Sequence, residues 1–450
     1  MTTTAATDRP SNDRPSNDRP RTGRSTPTPA APVPTAADRA AADRAAADRS
    51  AVDRSAVEAA LAGLPRVVDL LAARAEEHDR DATFPYQGIE AVHEAGLLTL
   101  TVSPRYGGPG GTLADTVRVL AQLGRGDASV AVVTAFTLLQ HAAQARRALW
   151  PAAGYRRLIT ESRRGPALVN TLRTEPGDGP GEPPRTLARR DGDGWLLTGR
   201  KTYCTGAEAL AWMAVTARTD EPEPRVGTFL VRGESEGLEI DPTWDQLGLR
   251  ASAGHDVVLD RVPVPADLAL GLRPVEPAGT DVAEGAEGAD RTEEAEEAEL
   301  ARAWHDLALA AVALGVARAA EAWLIRFLNQ RTPANLTEPL GTLPRYRCAL
   351  GEIEAQLIGA EELVAGLAPR VDRGEPDAVA RTGPAHLLAT RAATAAVQQA
   401  VALTGNPGLS RRHPLERYLR DVLSSRVHLA SEETVLEAAG RAALERGTRR

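Results

Sequence analysis

The chain has 450 residues and one lysine, Lys201; the other 52 of its 53 basic residues are arginine. Its two cysteines, Cys204 and Cys348, make neither a disulfide framework nor a metal-ligand spacing, so no metal centre is expected. Such sparing use of cysteine fits a reducing compartment, and the expected location is cytoplasmic. Aromatic residues make up only 4%, which leaves alanine, leucine and valine to fill the core. No apolar run reaches the ~18 residues of a membrane span, and the N-terminus lacks an apolar signal core. The net charge is −8. Ten acids and one base fall between Glu276 and Glu299, so the remainder of the chain carries about +1. A near-neutral folded part has no electrostatic footprint for nucleic acid.

What is present divides into five parts. Residues 1–55 repeat Asp-Arg every five positions, at Asp8, Asp13, Asp18 and again from Asp38 to Asp53. Five residues turn a helix by about 500°, so no apolar stripe forms and a disordered arm is expected. Residues 56–166 read as an α domain. Ala59, Leu61, Leu64, Val67, Val68, Leu70 and Leu71 recur at helical spacing, Gly96 stops a second helix, and Thr112 caps a third. Asp127 or Ser129 opens a fourth, apolar on nearly all sides and therefore buried. Residues 167–272 read as a β domain, with strand-like runs at Trp195–Leu197, Trp212–Val215, Val226–Val231 and Asp256–Leu259 separated by Gly-containing turns. Residues 273–298 read as an acidic linker. Residues 299–450 read as a four-helix bundle of segments near Leu300–Gln330, Tyr346–Leu367, Ala378–Thr404 and Ser431–Leu444. Gly315, Ala319 and Ala320 provide small side chains where a neighbouring helix can approach. The fold class expected is thus α+β, mainly α.

The richest stretch is Arg173–Ala207. It opens on the turn Thr174-Glu175-Pro176-Gly177 and ends on Lys201-Thr202-Tyr203-Cys204-Thr205-Gly206. Hydroxyls a strand apart, with an aromatic ring between them, suit a flat polar cofactor that needs hydrogen-bond donors and one wall.

Several blocks, in order, resemble the acyl-CoA dehydrogenase family of flavoproteins over roughly residues 57–445. They are Glu94–Leu98 with Pro104–Gly110, Gly126–Ser129, Thr174–Gly177, Gly199–Gly206, Leu247–Ser252 and Pro414–Asp421. The resemblance implies a flavin, FAD or alternatively FMN, between the β domain and the bundle, with Thr174 and Thr205 bonded to its ring and Tyr203 packed on it. It implies Arg331 as a grip on the cofactor, a homodimer or homotetramer, and an electron-acceptor flavoprotein or reductase as partner. Ser252 and His141 are candidate substrate contacts.

The implied reaction is α,β-oxidation of an acyl thioester on CoA or a carrier protein. The family's usual base, a glutamate eight residues after Asp421, is here Leu429, which takes no proton. His305, Asp306 and Glu432 are the candidate substitutes. The cofactor-holding segments also differ: only Arg331 is kept in Arg331–Asn335, and one glycine of a pair in Gly405–Gly408. The turn after Gly177 runs into Gly179-Pro180, without a hydroxyl. These departures resemble monooxygenases of the same fold, which use reduced flavin and oxygen on another small-molecule substrate and need no such base. A non-catalytic flavin-binding homologue is the third alternative.

Overall fold

The computed structural model describes residues 52–177, 182–275, 289–428 and 431–448. The Asp-Arg arm up to residue 51, Gly179, Pro180, residues 276–288 of the acidic run, and Leu429 lie outside the described residues.

Helix α1 (Arg54–Asp81) buries Val57, Ala60, Leu64, Val67, Leu71 and Ala75, one stripe at three- and four-residue steps. Helix α2 (Tyr86–Glu94) ends just before Gly96, whose φ of +73° only glycine adopts freely. Thr112 caps α3 (Leu113–Gly126) in a reciprocal box with Asp115. Asp127, not Ser129, caps α4 (Ala128–Arg146) by accepting from the amides of Ser129 and Val130. Helix α4 is buried on nearly every side, as its composition requires. Helix α5 (Ala152–Glu161) leads into the sheet.

Among the described residues the eight strands are β1 (Leu168–Leu172), β2 (Leu187–Asp191), β3 (Gly194–Lys201), β4 (Leu210–Thr219), β5 (Arg225–Arg232), β6 (Leu238–Asp241), β7 (Asp256–Pro265) and β8 (Ala269–Pro274). They run β6-β7-β3-β2-β4-β5-β8, with β1 added parallel to β4. The apolar runs read from sequence are β3, β4, β5 and β7. The other four are short, and β2 is Leu-Ala-Arg-Arg-Asp, with too little alternation to announce itself.

Helix α6 (Ala289–Gln330) is 42 residues long. It takes in the second half of the acidic run expected as a linker. Alanine and glutamate are strong helix formers that extend a buried helix outward, and Glu297 pairs with Arg146 at 2.9 Å. Helices α7 (Pro344–Asp372), α8 (Pro376–Val379) and α9 (Thr382–Thr404) follow, then α10 (Leu415–Ser424), a helix the periodicity did not announce, and α11 (Glu432–Thr448). Helix α3 crosses α6 where both carry glycine. A Cβ on Gly315 would run into the Ala121 carbonyl, and one on Gly124 would come to 2.6 Å of the Val312 carbonyl.

Candidate functional site

Two structures adjoin the N-terminal half of α4, one beside Val133 and one beside Ala128 and Val132. The first is a platform at the end of β3. Lys201 and Glu175 are both buried and meet at 2.5 Å, Nζ to Oε1. Glu175 also accepts from the Thr186 hydroxyl (2.6 Å) and the amides of Thr186 and Arg185, while Lys201 donates to the Arg173 carbonyl and the Thr216 hydroxyl. Burial pushes the Glu175 carboxyl up, but the Lys201 and Thr186 hydrogen bonds outweigh it and hold the group below its ordinary value. The lone lysine is therefore a clamp that fastens the Thr174–Gly177 turn to β3.

With the turn fixed, Thr202 N donates to Thr174 O at 2.9 Å. Cys204 N then bonds His255 O, Gly206 N bonds Ser252 O, and Asn170 Nδ2 bonds Thr205 O. This lacing holds Tyr203 at φ +56° with 63% of its surface exposed, edge-on to Trp244 at 6.5 Å. A non-glycine residue at such φ is uncommon; the loop spends strain to present a ring. The Thr202 hydroxyl is buried without a hydrogen-bond partner among the described residues.

The second structure is a chamber between α4 and α6. Ala128 and Val132 line it from α4, Leu309, Val312, Ala313 and Val316 from α6, and Leu249 from the loop after β6. Asp421, Ser425 and His428 form its one polar wall. Its enclosed volume is about 10 Å³, room for roughly one water. One turn beyond Val132, Phe136 lies 6.3 Å from the His305 ring and 6.1 Å from the His428 ring. His386 joins from α9, 6.5 Å from His305. A larger groove of about 720 Å³ between α1, α3, α6 and α7 touches none of these groups.

Charge at the chamber is unusual. Asp306 accepts from Thr382 Oγ1 at 3.2 Å and His386 Nδ1 at 3.3 Å, and faces His305 Nδ1 at 4.0 Å. Burial raises its carboxyl, but the two imidazoles prevail and bring it to about 2. Burial, helped by the neighbouring His305 and His386, lowers His428 to about 3, so it is neutral. Burial pushes Asp421 up to about 7, against the pull of Arg417 and its bond from Leu249 N.

Models of three acyl-CoA dehydrogenase domains match the chain in order: the N-terminal domain over residues 67–148, the middle domain over 171–262 and the C-terminal domain over 307–433. The chain belongs to the acyl-CoA dehydrogenase family. A putative acyl-CoA dehydrogenase of Bacillus subtilis, YdbM, is 29% identical over 79% of this chain and 89% of its own length. The L-evernosamine nitrososynthase of a Micromonospora species is 30% identical over 79% of this chain and 84% of its own. The structure of KijD3 in complex with FMN and a dTDP-linked 3-amino-4-keto sugar superposes with a TM-score of 0.70 at 25% identity, covering 87% and 94% of the two chains.

Within this family fold the expected residues separate. Thr174, Tyr203 and Thr205 gather at the platform, and Ser252 is buried beneath it, its carbonyl holding Gly206. His305 does not line the chamber but lies beside it, sharing the Phe136 ring with the chamber residue His428, and Asp306 is turned to Thr382 and His386. His141 does not face the chamber: it lies on another side of α4, fully buried, bonded to Tyr155 Oη at 2.9 Å and lowered by burial to about 4. Glu432 does not face it either, because it opens α11 at the surface and pairs with Arg391 at 2.7 Å, the bond that lowers its carboxyl. Arg331 follows the far end of α6. It lies 26 residues past His305, roughly 39 Å along the helix. One copy of the chain therefore cannot bring Arg331 to the chamber. The sequence reading missed His386 and His428. The available signal was rarity: only eight histidines occur, and Thr382 and His386 stand four apart on one helix face.

Proposed function

We propose that the chain is a reduced-flavin-dependent monooxygenase acting on a small substrate. The observation that carries this reading is the cluster beside the chamber, where three imidazoles converge on one carboxylate, Asp306, that is already bonded. Asp306 is spent on Thr382 and His386, and at about 2 it is a weak base.

The residues fit a flavin. The Tyr203–Trp244 corner supplies a flat wall, the unpartnered Thr202 hydroxyl a polar contact, and Thr174 and Thr205 further hydroxyls. Where FAD is the form bound, Arg331 of a second copy is the residue to hold its diphosphate. When bound, reduced flavin supplies two electrons to dioxygen, so that one oxygen atom enters the substrate and the other leaves as water. The chain's own part is to exclude bulk water with Phe136 and the apolar walls, and to hold protons at His305. Neutral His428 orients the substrate by hydrogen bonding. The nitrososynthase relative and the FMN and amino-sugar complex of KijD3 support the same reading.

A second reading, α,β-oxidation of an acyl thioester with FAD, is favoured by Asp421, a chamber carboxyl near neutrality. The two separate in one experiment. The purified protein is given FMN and a flavin reductase with NADH, and oxygen uptake is followed with small amines. Substrate-dependent uptake with an oxygenated product is expected. Anaerobic bleaching of bound flavin by butyryl-CoA, without such uptake, would overturn the proposal in favour of the dehydrogenase.

A further inference from the structure

Asp306 and His386 are more tightly organised than a packed core needs. His386 has no exposed surface. Among the described residues its one hydrogen bond runs from Nδ1 to Asp306 Oδ1, and Nε2 is buried without a partner. A histidine kept for packing alone would have both nitrogens satisfied or be replaced by an apolar residue. Thr382, one turn before it on α9, holds the other oxygen of the same carboxylate. The carboxylate is thus gripped from α9 at both oxygens, and the oxygen shared with His386 is the one that faces His305. His305 has a third of its side chain exposed, whereas His428 is neutral. The titratable groups facing His305 are Asp306 on its own helix, His386 on α9 and His428 after α10; α4 offers only the Phe136 ring. One negative charge among three imidazoles stabilises one added proton.

The geometry points to His386 and Thr382 as positioning residues that aim Asp306 at His305, making His305 the proton acceptor of the reaction. In that step an N–H or O–H bond of the substrate breaks, its electron pair stays on the heteroatom, and the proton binds His305 on the nitrogen away from Asp306. The imidazolium so formed lies opposite the carboxylate. The arrangement follows the logic of a histidine oriented by a buried acid, with the acid itself held in place by a second histidine. This assignment rests on the proposed monooxygenase reading, with the substrate bound beside the partly exposed His305.

Two measurements test it. In the full-length, flavin-free protein with ¹⁵N-labelled histidine, His386 is expected as the Nδ1–H tautomer, and Asp306→Ala is expected to mix its tautomers. An Nε2–H tautomer in the wild type, or no change in Asp306→Ala, overturns the positioning role, and this readout needs neither flavin nor turnover. In the oxygen-uptake assay, His386→Leu and the isosteric Asp306→Asn are expected to lower kcat by about 10- to 100-fold with little change in KM. They should also move the rising limb of the pH profile, because removing or misaiming the carboxylate takes away the negative charge that the accepted proton faces. His386→Asn places an amide N–H where Nδ1–H stood and should recover most of the loss. A pH limb unmoved in Asp306→Asn, or an Asn variant no better than Leu, overturns the proposal. A wild type with the expected tautomer but no uptake counts against the monooxygenase reading instead.

Discussion

Replacing Lys201 by methionine is the sharpest test of the platform. The ammonium and the Glu175 carboxylate are both almost fully removed from solvent, and they touch at 2.5 Å. Methionine keeps the length and apolar stem but removes the ammonium that neutralises the carboxylate, while the Arg185 and Thr186 donors stay. Removing one partner of a buried pair costs about 3–5 kcal/mol, because the other charge stays desolvated. The expected loss in urea unfolding, followed by tryptophan fluorescence and by circular dichroism, is therefore about 3–5 kcal/mol. The double variant Lys201→Met/Glu175→Leu should recover part of that loss, since no charge remains buried. Recovery stays incomplete because the Arg185 and Thr186 amides lose their acceptor, at about 1–3 kcal/mol for each buried group. Flavin affinity should fall in both variants, as the Thr174 turn is no longer pinned against Thr202. A loss below about 1 kcal/mol in Lys201→Met, the value of an exposed pair, would refute the clamp.

Four further outcomes follow from the same structure. Gly315→Val should destabilise by about 1–3 kcal/mol in urea, since its side chain collides with the Ala121 carbonyl. Gly351→Ala in α7, where a Cβ meets nothing within 4 Å, should be neutral or stabilising by up to about 1 kcal/mol; equal effects of the two would refute the close α3–α6 crossing. Thr205→Val should raise the FMN dissociation constant about 5- to 10-fold by fluorescence titration, and unchanged affinity would remove Thr205 from the site. His141 is held neutral, at about 4, against about 6.5 in an unfolded chain. The unfolded state therefore takes up the proton first, and stability falls as pH drops from about 6.5 toward 4, by up to ~3 kcal/mol. His141→Phe should flatten that acid limb in urea titrations at pH 7 and 4.5.

Legibility from sequence depended on how each element is buried. Helix α1 buries one stripe, and β3, β4, β5 and β7 carry long apolar runs, so periodicity finds them. Strand β2 is mostly charged and exists because β3 and β4 flank it, a tertiary cause that local pattern does not carry. Helix α10 was hidden because a ten-residue helix with a buried arginine and aspartate looks like a polar loop. The start of α6 was misread for the opposite reason. Its acids suggested a solvated linker, while alanine and glutamate together continue a helix already paid for by the burial of Ala303–Leu328. At the candidate site, Thr174, Tyr203 and Thr205 stand out in the sequence because they sit in contiguous blocks. The histidine cluster was not, because α6, α9 and the turn after α10 each contribute one ring, and no spacing in the chain links them.

The distribution of roles among the blocks explains why the family was easier to read than the reaction. Glu175 and Lys201 clamp a turn to a strand. Asp127 caps α4. In Leu247–Ser252, Leu249 N donates to Asp421, Leu247 O accepts from Arg420, and a Cβ on Gly248 would collide with the Arg420 carbonyl, so this loop and the Pro414–Asp421 block are each other's binding partners. Arg420 also pairs with Asp79 at 2.6 Å, tying α10 to α1. The recognisable residues are mostly fasteners between elements that are distant in sequence, and fasteners are set by the fold, whatever chemistry it hosts. His305, His386 and His428 lie between those blocks, on surfaces that the fasteners merely bring together. A change of reaction can therefore rewrite the chamber mouth without disturbing a single clamp. The histidine cluster between the blocks, and not the matches elsewhere, is the ground of the monooxygenase reading proposed above.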